Sequence, residues 1–145
     1  TKKFRTQDSI KLIEYAFSNF EMVDIKSIIE KNFLKWQSEY SQSFHIEKGI
    51  SNNIKTYIEH FQYSKYPVDK SKIKDIRTNI TNTFFFEAPL LEKSKIGLLT
   101  CFVDDIKICE LNIYSASYIP KKNILFYFNN FIINYSTYLE NIFKQ

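Results

Sequence analysis

Residues 96–114 read IGLLTCFVDDIKICELNIY, and the fold class turns on this stretch. Two runs rich in β-branched and aliphatic residues, 96–103 and 106–114, flank the pair Asp104-Asp105. That is the pattern of an antiparallel hairpin closed by a tight turn. Upstream, Phe84-Phe85-Phe86 either ends a preceding helix or opens a third strand over 84–88, stopping before Pro89. With a two-residue turn the register places Cys101 opposite Ile108 and Cys109 opposite Thr100. The two thiols then lie on opposite faces of the hairpin and cannot bridge. Reduced, buried cysteines are expected, which fits an intracellular setting better than a secreted one.

Before the hairpin the period is that of a helix. Asp8 can cap a first helix with Ile10, Ile13, Phe17 and Phe20 along one face. Asp24 is the expected N-cap of a second, with Val23 and Ile28 at hydrophobic-staple spacing. In that helix Ile25, Ile29, Phe33, Trp36 and Tyr40 share one face, while Lys26, Lys31, Lys35 and Glu39 lie on the others. A third helical stretch is read through Ile50, Ile54, Tyr57, Ile58 and Phe61, and a short fourth, capped by Asp69 or Ser71, through Ile73, Ile76 and Ile80. Tyr66-Pro67 separates them, because the residue before a proline avoids the helical region.

After the hairpin, Pro120 stands at an expected first helical position. A long helix follows in which Ile124, Phe128, Phe131, Tyr135, Tyr138 and Ile142 recur at spacings of 4, 3, 4, 3 and 4. Leu125, Ile132 and Leu139 form a second row, and Glu140 is the one charge between Ile124 and Phe143. Asn129, Asn130, Asn134 and Asn141 interrupt the apolar surface, and no run approaches the ~20 apolar residues of a membrane span. The expectation is a single α+β domain over 1–145. It has a helical N-terminal half, a small antiparallel sheet of two to three strands over about 84–114, and a long C-terminal helix packed across both.

Composition agrees with one folded domain. The 145 residues are 44% hydrophobic and 25% charged, which excludes a disordered tail or a disulfide mini-protein. Isoleucine outnumbers valine 21 to 3 and lysine outnumbers arginine 18 to 2, a bias that A/T-rich coding produces. The 17% aromatic content is part of that bias and is weak evidence for an aromatic binding platform. The chain begins with Thr1 rather than Met, as an excised domain or a processed form would.

Catalytic signatures are missing from the pattern. With Gly49 and Gly97 as the only glycines, neither GxGxxG nor GxxxxGK[ST] can be written. Cys101, Cys109, His45 and His60 lack metal-site spacing, so no metal and no cofactor is expected. Asp104-Asp105 reads as a hairpin tip, and His60 has no nucleophile at helical spacing.

Three function classes remain. The leading one is a non-enzymatic interaction or regulatory domain that binds another protein or itself, with a dimer expected. Its interface is Ile124, Phe128, Phe131, Tyr135, Tyr138 and Ile142. The second is a ligand-sensing module with an apolar pocket. The third is a nucleic-acid-binding or toxin-like protein, and two features address it. Lys65, Lys70, Lys72, Lys74 and Arg77 form a basic cluster able to hold an anion, diluted by Asp69 and Asp75. The phrase from Gly49 to Ile58 looks like the turn and recognition helix of a helix-turn-helix protein. However, its spacing is one residue short, and His45 stands where a small side chain is required. An ordinary packed helix capped by Ser51 is the favoured reading of that segment, and nucleic acid is the less favoured partner.

Overall fold

The structure is a computed structural model that describes residues 2–62 and 64–143. Its centre is the expected hairpin: β7 (Lys95–Val103) and β8 (Ile106–Ser115) pair antiparallel around Asp104-Asp105, with Val103 opposite Ile106. Asp104 takes the left-handed conformation that a tight hairpin turn requires, with φ 58°. β5 (Ile76–Asn82) adds along β7 and β3 (Thr56–Ile58) along the end of β8, giving a four-stranded antiparallel sheet in the order β3-β8-β7-β5.

Two pairs lie outside the sheet. β1 (Phe20–Asp24) runs antiparallel to β4 (Lys65–Asp69), and β2 (His45–Glu47) runs parallel to β6 (Phe85–Glu87). Phe85 and Phe86 are therefore strand rather than helix end, with Phe84 just ahead of them, but that strand pairs with β2 instead of extending the hairpin.

α2 (Ile25–Tyr40) covers one face of the sheet. It starts as its sequence dictates, with Asp24 Oδ1 accepting from Ser27 N at 3.1 Å. Ile25, Ile29, Phe33 and Trp36 are buried in one cluster with Leu99, Cys101, Leu111 and Ile113. Asn32 Nδ2 donates to Thr78 Oγ1 and Gln37 Nε2 to Thr56 O, fixing the helix to both edge strands. Phe44, Ile46, Ile54, Leu90 and Ile119 continue the same cluster beyond the sheet. The opposite sheet face is open. Arg77 lies over the Phe102 ring at 5.6 Å and Tyr57 beside Tyr114 at 5.7 Å.

The fold is α+β, as its sequence implies, but several parts of it differ from expectation. The stretch from Ile50 to Phe61 is not helical. Asn52 Oδ1 accepts from Ile46 N and Ser51 Oγ from Asn53 N. Such side-chain bonds to the backbone compete with a helix, and β3 follows. The helix-turn-helix likeness falls with that helix. Next, Asp69 does cap a turn, but the 3₁₀ segment Lys70–Asp75 ends there and Ile76 opens β5. In β5, Ile76, Thr78 and Ile80 point inward while Arg77, Asn79 and Thr81 point outward.

The third difference is the start of α3 (Ile124–Phe143), four residues beyond Pro120 and capped by Asn123, whose Oδ1 accepts from Phe126 N. Finally, α3 does not pack across the sheet and helices. Every described side chain from Ile124 to Leu139 is exposed or half-exposed. The physical reason is that α2, with the strands and loops up to Ile119, already closes the core. α1 (Lys2–Asn19), which begins ahead of Asp8 rather than at it, is likewise exposed from Phe4 to Ser18, with Phe4, Leu12 and Phe17 in solvent.

Candidate functional site

α3 carries the expected interface residues, and the five whose side chains are described are exposed. The chain leaves the core through a short ladder in which Leu90 bridges Ile119, Ile50 N donates to Pro120 O, and Lys122 N donates to Lys48 O. Beyond that anchor Ile124, Phe128, Phe131, Tyr135 and Tyr138 line one side of the helix, exposed by between 55% and 84%. The side chain of Ile142 lies outside the described residues. Phe131 and Tyr135, one turn apart, stack with centroids 6.2 Å apart and planes 9° from parallel. Ser136 and Thr137 donate their hydroxyls back to Ile132 O and Ile133 O, so the polar groups beside the stripe are turned onto their own helix. Burying an aromatic or aliphatic side chain of this size is worth about 1.5–3 kcal/mol. An exposed apolar row of five is the kind of surface feature that marks interaction sites in folded proteins.

The basic cluster is placed quite differently. Lys70 Nζ donates to Phe17 O and Ser18 O, closing the C-terminal end of α1. Lys72 pairs with Asp104 at 2.9 Å and Arg77 with Asp105 at 2.7 Å, both across to the hairpin tip. The hydrogen bond and charge of Lys72 hold the Asp104 carboxyl below its usual value. Lys65 lies on β4, and Lys74 is exposed in the 3₁₀ segment. The structure thus shares three of the five positive groups with backbone carbonyls and carboxylates. The role of Asp104 and Asp105 as their counter-charges was not legible in sequence, since it depends on the β5–β7 register.

A cleft of about 640 Å³ opens between β4 and β8, lined by Phe61, Tyr66, Pro67, Ile108, Cys109 and Leu111, with Lys65 and Glu110 also on its wall. Its lining is largely apolar, and its volume is that of a small-ligand site. Only the fold brings these two strands together; no local sequence pattern marks the pair.

The cysteines are a correction. β8 carries a bulge between the partners of Cys101 and Phe102, so Phe102 faces Lys107 but Cys101 faces Cys109. The inserted residue shifts the register by one and turns both thiols to the same face. Cys101 is fully buried and Cys109 half-buried. Burial, with Cys109 beside it, pushes the Cys101 thiol up to about 11, and burial also raises Cys109.

Ser71 and Lys74 have the Ser-x-x-Lys spacing that some acyl-transferring enzymes use. Here the Ser71 hydroxyl donates to Asp69 Oδ1 at 2.6 Å on an exposed turn, where it serves as part of a cap. Among the described residues no group of three or more His, Cys, Asp or Glu side chains could hold a metal ion. No helix among them is long and apolar enough to cross a membrane.

No family model matches the chain, and no curated protein matches it. Solved structures do resemble it in fold. The D-alanyl-D-alanine carboxypeptidase DacD from Francisella tularensis aligns with a TM-score of 0.50 at 16% identity, over 84% of this chain and 28% of that one. Penicillin binding protein 5 from Haemophilus influenzae aligns with a TM-score of 0.49 at 19% identity, over 83% of this chain and 32% of that one. The chain spans less than a third of either, and at these identities the likeness is one of chain path alone.

Proposed function

We propose that this chain is a non-enzymatic interaction domain that self-associates through α3, the aromatic stripes of two copies packing together. The observation that carries this reading is the exposure of Ile124, Phe128, Phe131, Tyr135 and Tyr138 on a helix whose described side chains are all exposed or half-exposed. Their spacing of 4, 3, 4, 3 is a seam that a second copy can match knob for hole. With Glu140 the one charge of the helix, two copies bring little like-charge repulsion to the contact.

Sedimentation equilibrium and light scattering test it. The parent chain is expected to dimerise, and Phe131→Glu with Tyr135→Glu is expected to return monomers whose circular dichroism and melting are unchanged. A parent chain that stays monomeric at high micromolar concentration overturns the proposal.

The cleft between β4 and β8 favours a second reading, a small apolar ligand held against Phe61, Tyr66 and Leu111. Binding of a fluorescent apolar probe by the parent, and its loss in a folded Tyr66→Arg variant on the exposed wall of the cleft, is the expected result for that reading. Equal probe binding by both proteins sinks it. The carboxypeptidase activity in the neighbour's name is not carried over, since the shared feature is chain path and the Ser71 hydroxyl is engaged by Asp69.

A further inference from the structure

Cys101 and Cys109 stand directly opposite one another on β7 and β8. Residues so placed have Cα atoms about 4.5–5.5 Å apart, inside the span of about 4.4–6.8 Å that a disulfide bridges. The two side chains lie on the same face of the hairpin, close enough for Cys109 to raise the Cys101 thiol. Their access differs: Cys101 is sealed in the core, whereas Cys109 forms part of the wall of the cleft between β4 and β8. That cleft, at about 640 Å³, admits a small organic disulfide.

We propose that the pair is a modification site for small-molecule disulfides, in which Cys109 is the entry thiol and Cys101 the resolving thiol, and the product is a disulfide across β7 and β8. The chemistry is two thiol–disulfide exchanges with oxidised glutathione as the oxidant. The Cys109 thiol gives its proton to solvent, and the thiolate attacks one sulfur of glutathione disulfide. The glutathione S–S bond breaks, one glutathione leaves as thiolate and takes up a proton, and a mixed disulfide remains on Cys109. Cys101, deprotonated in turn, attacks Sγ of Cys109, and the second glutathione leaves. Two cysteine thiols lose two electrons together, and one glutathione disulfide becomes two glutathione thiols. Because burial disfavours both thiolates, the exchange is slow at neutral pH. It accelerates about tenfold per pH unit while the pH stays below the thiol pKa values.

The test is intact-mass and peptide mapping of the full chain after incubation with oxidised glutathione and acid quench. The expected product is a monomer lighter by two hydrogens, with the Cys101 and Cys109 peptides linked and a rate that rises with pH. Cys101→Ala is expected to stop at a stable glutathione adduct on Cys109, and Cys109→Ala to stay unmodified under native conditions. Because Cys101 is a core residue, Cys101→Ala is read once circular dichroism shows it folded; the linked peptide in the parent and the silent Cys109→Ala decide the matter otherwise. A persistent adduct on the parent, a disulfide between two chains, or no reaction while the urea-unfolded chain reacts, each overturns the proposal.

Discussion

Gly97 sits where β7 crowds β5, opposite Asn82. A Cβ there would lie 2.6 Å from Thr81 O and 2.8 Å from Asn82 Cβ. Backbone must shift to admit it, so Gly97→Ala is expected to destabilise the fold by about 1–3 kcal/mol, read by urea denaturation. The exposed carboxylates follow a different rule. Hydrogen bonds from Ser27 hold Asp24, and bonds from Ser71 hold Asp69, below the usual carboxylate range. A carboxylate lowered in the folded state contributes stability that is present above its unfolded pKa and lost as the pH falls through the folded one. The melting temperature is therefore expected to decline on acidification through that range. The decline should be shallower in Asp24→Ala and Asp69→Ala, as scanning calorimetry across pH would report. The caps at Asp24 and Asp69 and the turn at Asp104-Asp105 were legible in sequence because each involves neighbours within a few residues. The facing of Cys101 and Cys109 was not, since the bulge in β8 carries no glycine or proline to mark it.

Elements that share a composition behave here in opposite ways. α2 and α3 both carry aromatic stripes at helical spacing, yet Phe33 is buried on α2 while Phe131 is 66% exposed on α3. Phe33→Ala is expected to cost about 3–5 kcal/mol, whereas Phe131→Ala should stay within about 0.5 kcal/mol in the monomer. Chemical denaturation at low protein concentration separates the two. Sequence periodicity found both helices but could not say which stripe meets a core. The same limit explains the segments read as third and fourth helices. Isoleucines four apart, such as Ile50, Ile54 and Ile58 or Ile76 and Ile80, satisfy a helical face and an alternating strand equally well. Side-chain bonds from Ser51 and Asn52 settle the first, and pairing of β5 with β7 settles the second.

At the scale of the molecule, a core complete by Ile119 is flanked by two helices whose described apolar side chains it does not use. Removing residues 124–145 is therefore expected to leave cooperative unfolding and the melting temperature of the monomer nearly unchanged, while abolishing self-association. Calorimetry and light scattering on the shortened chain check both halves of that statement, and a shortened chain that fails to fold refutes it. By itself the sequence determined the α+β class, the 96–114 hairpin and its turn, the cap and buried face of α2, and the existence of a long aromatic C-terminal helix. Each of these follows from short-range chemistry: period, capping and turn residues within about one helical turn or one strand. Tertiary structure alone decided the rest. It set which strands flank the hairpin, where Lys72 and Arg77 find their carboxylates, that the two cysteines meet, and that α3 stands outside the core. Those outcomes depend on register and on which apolar faces are covered first, and both are fixed by contacts between residues far apart in the chain.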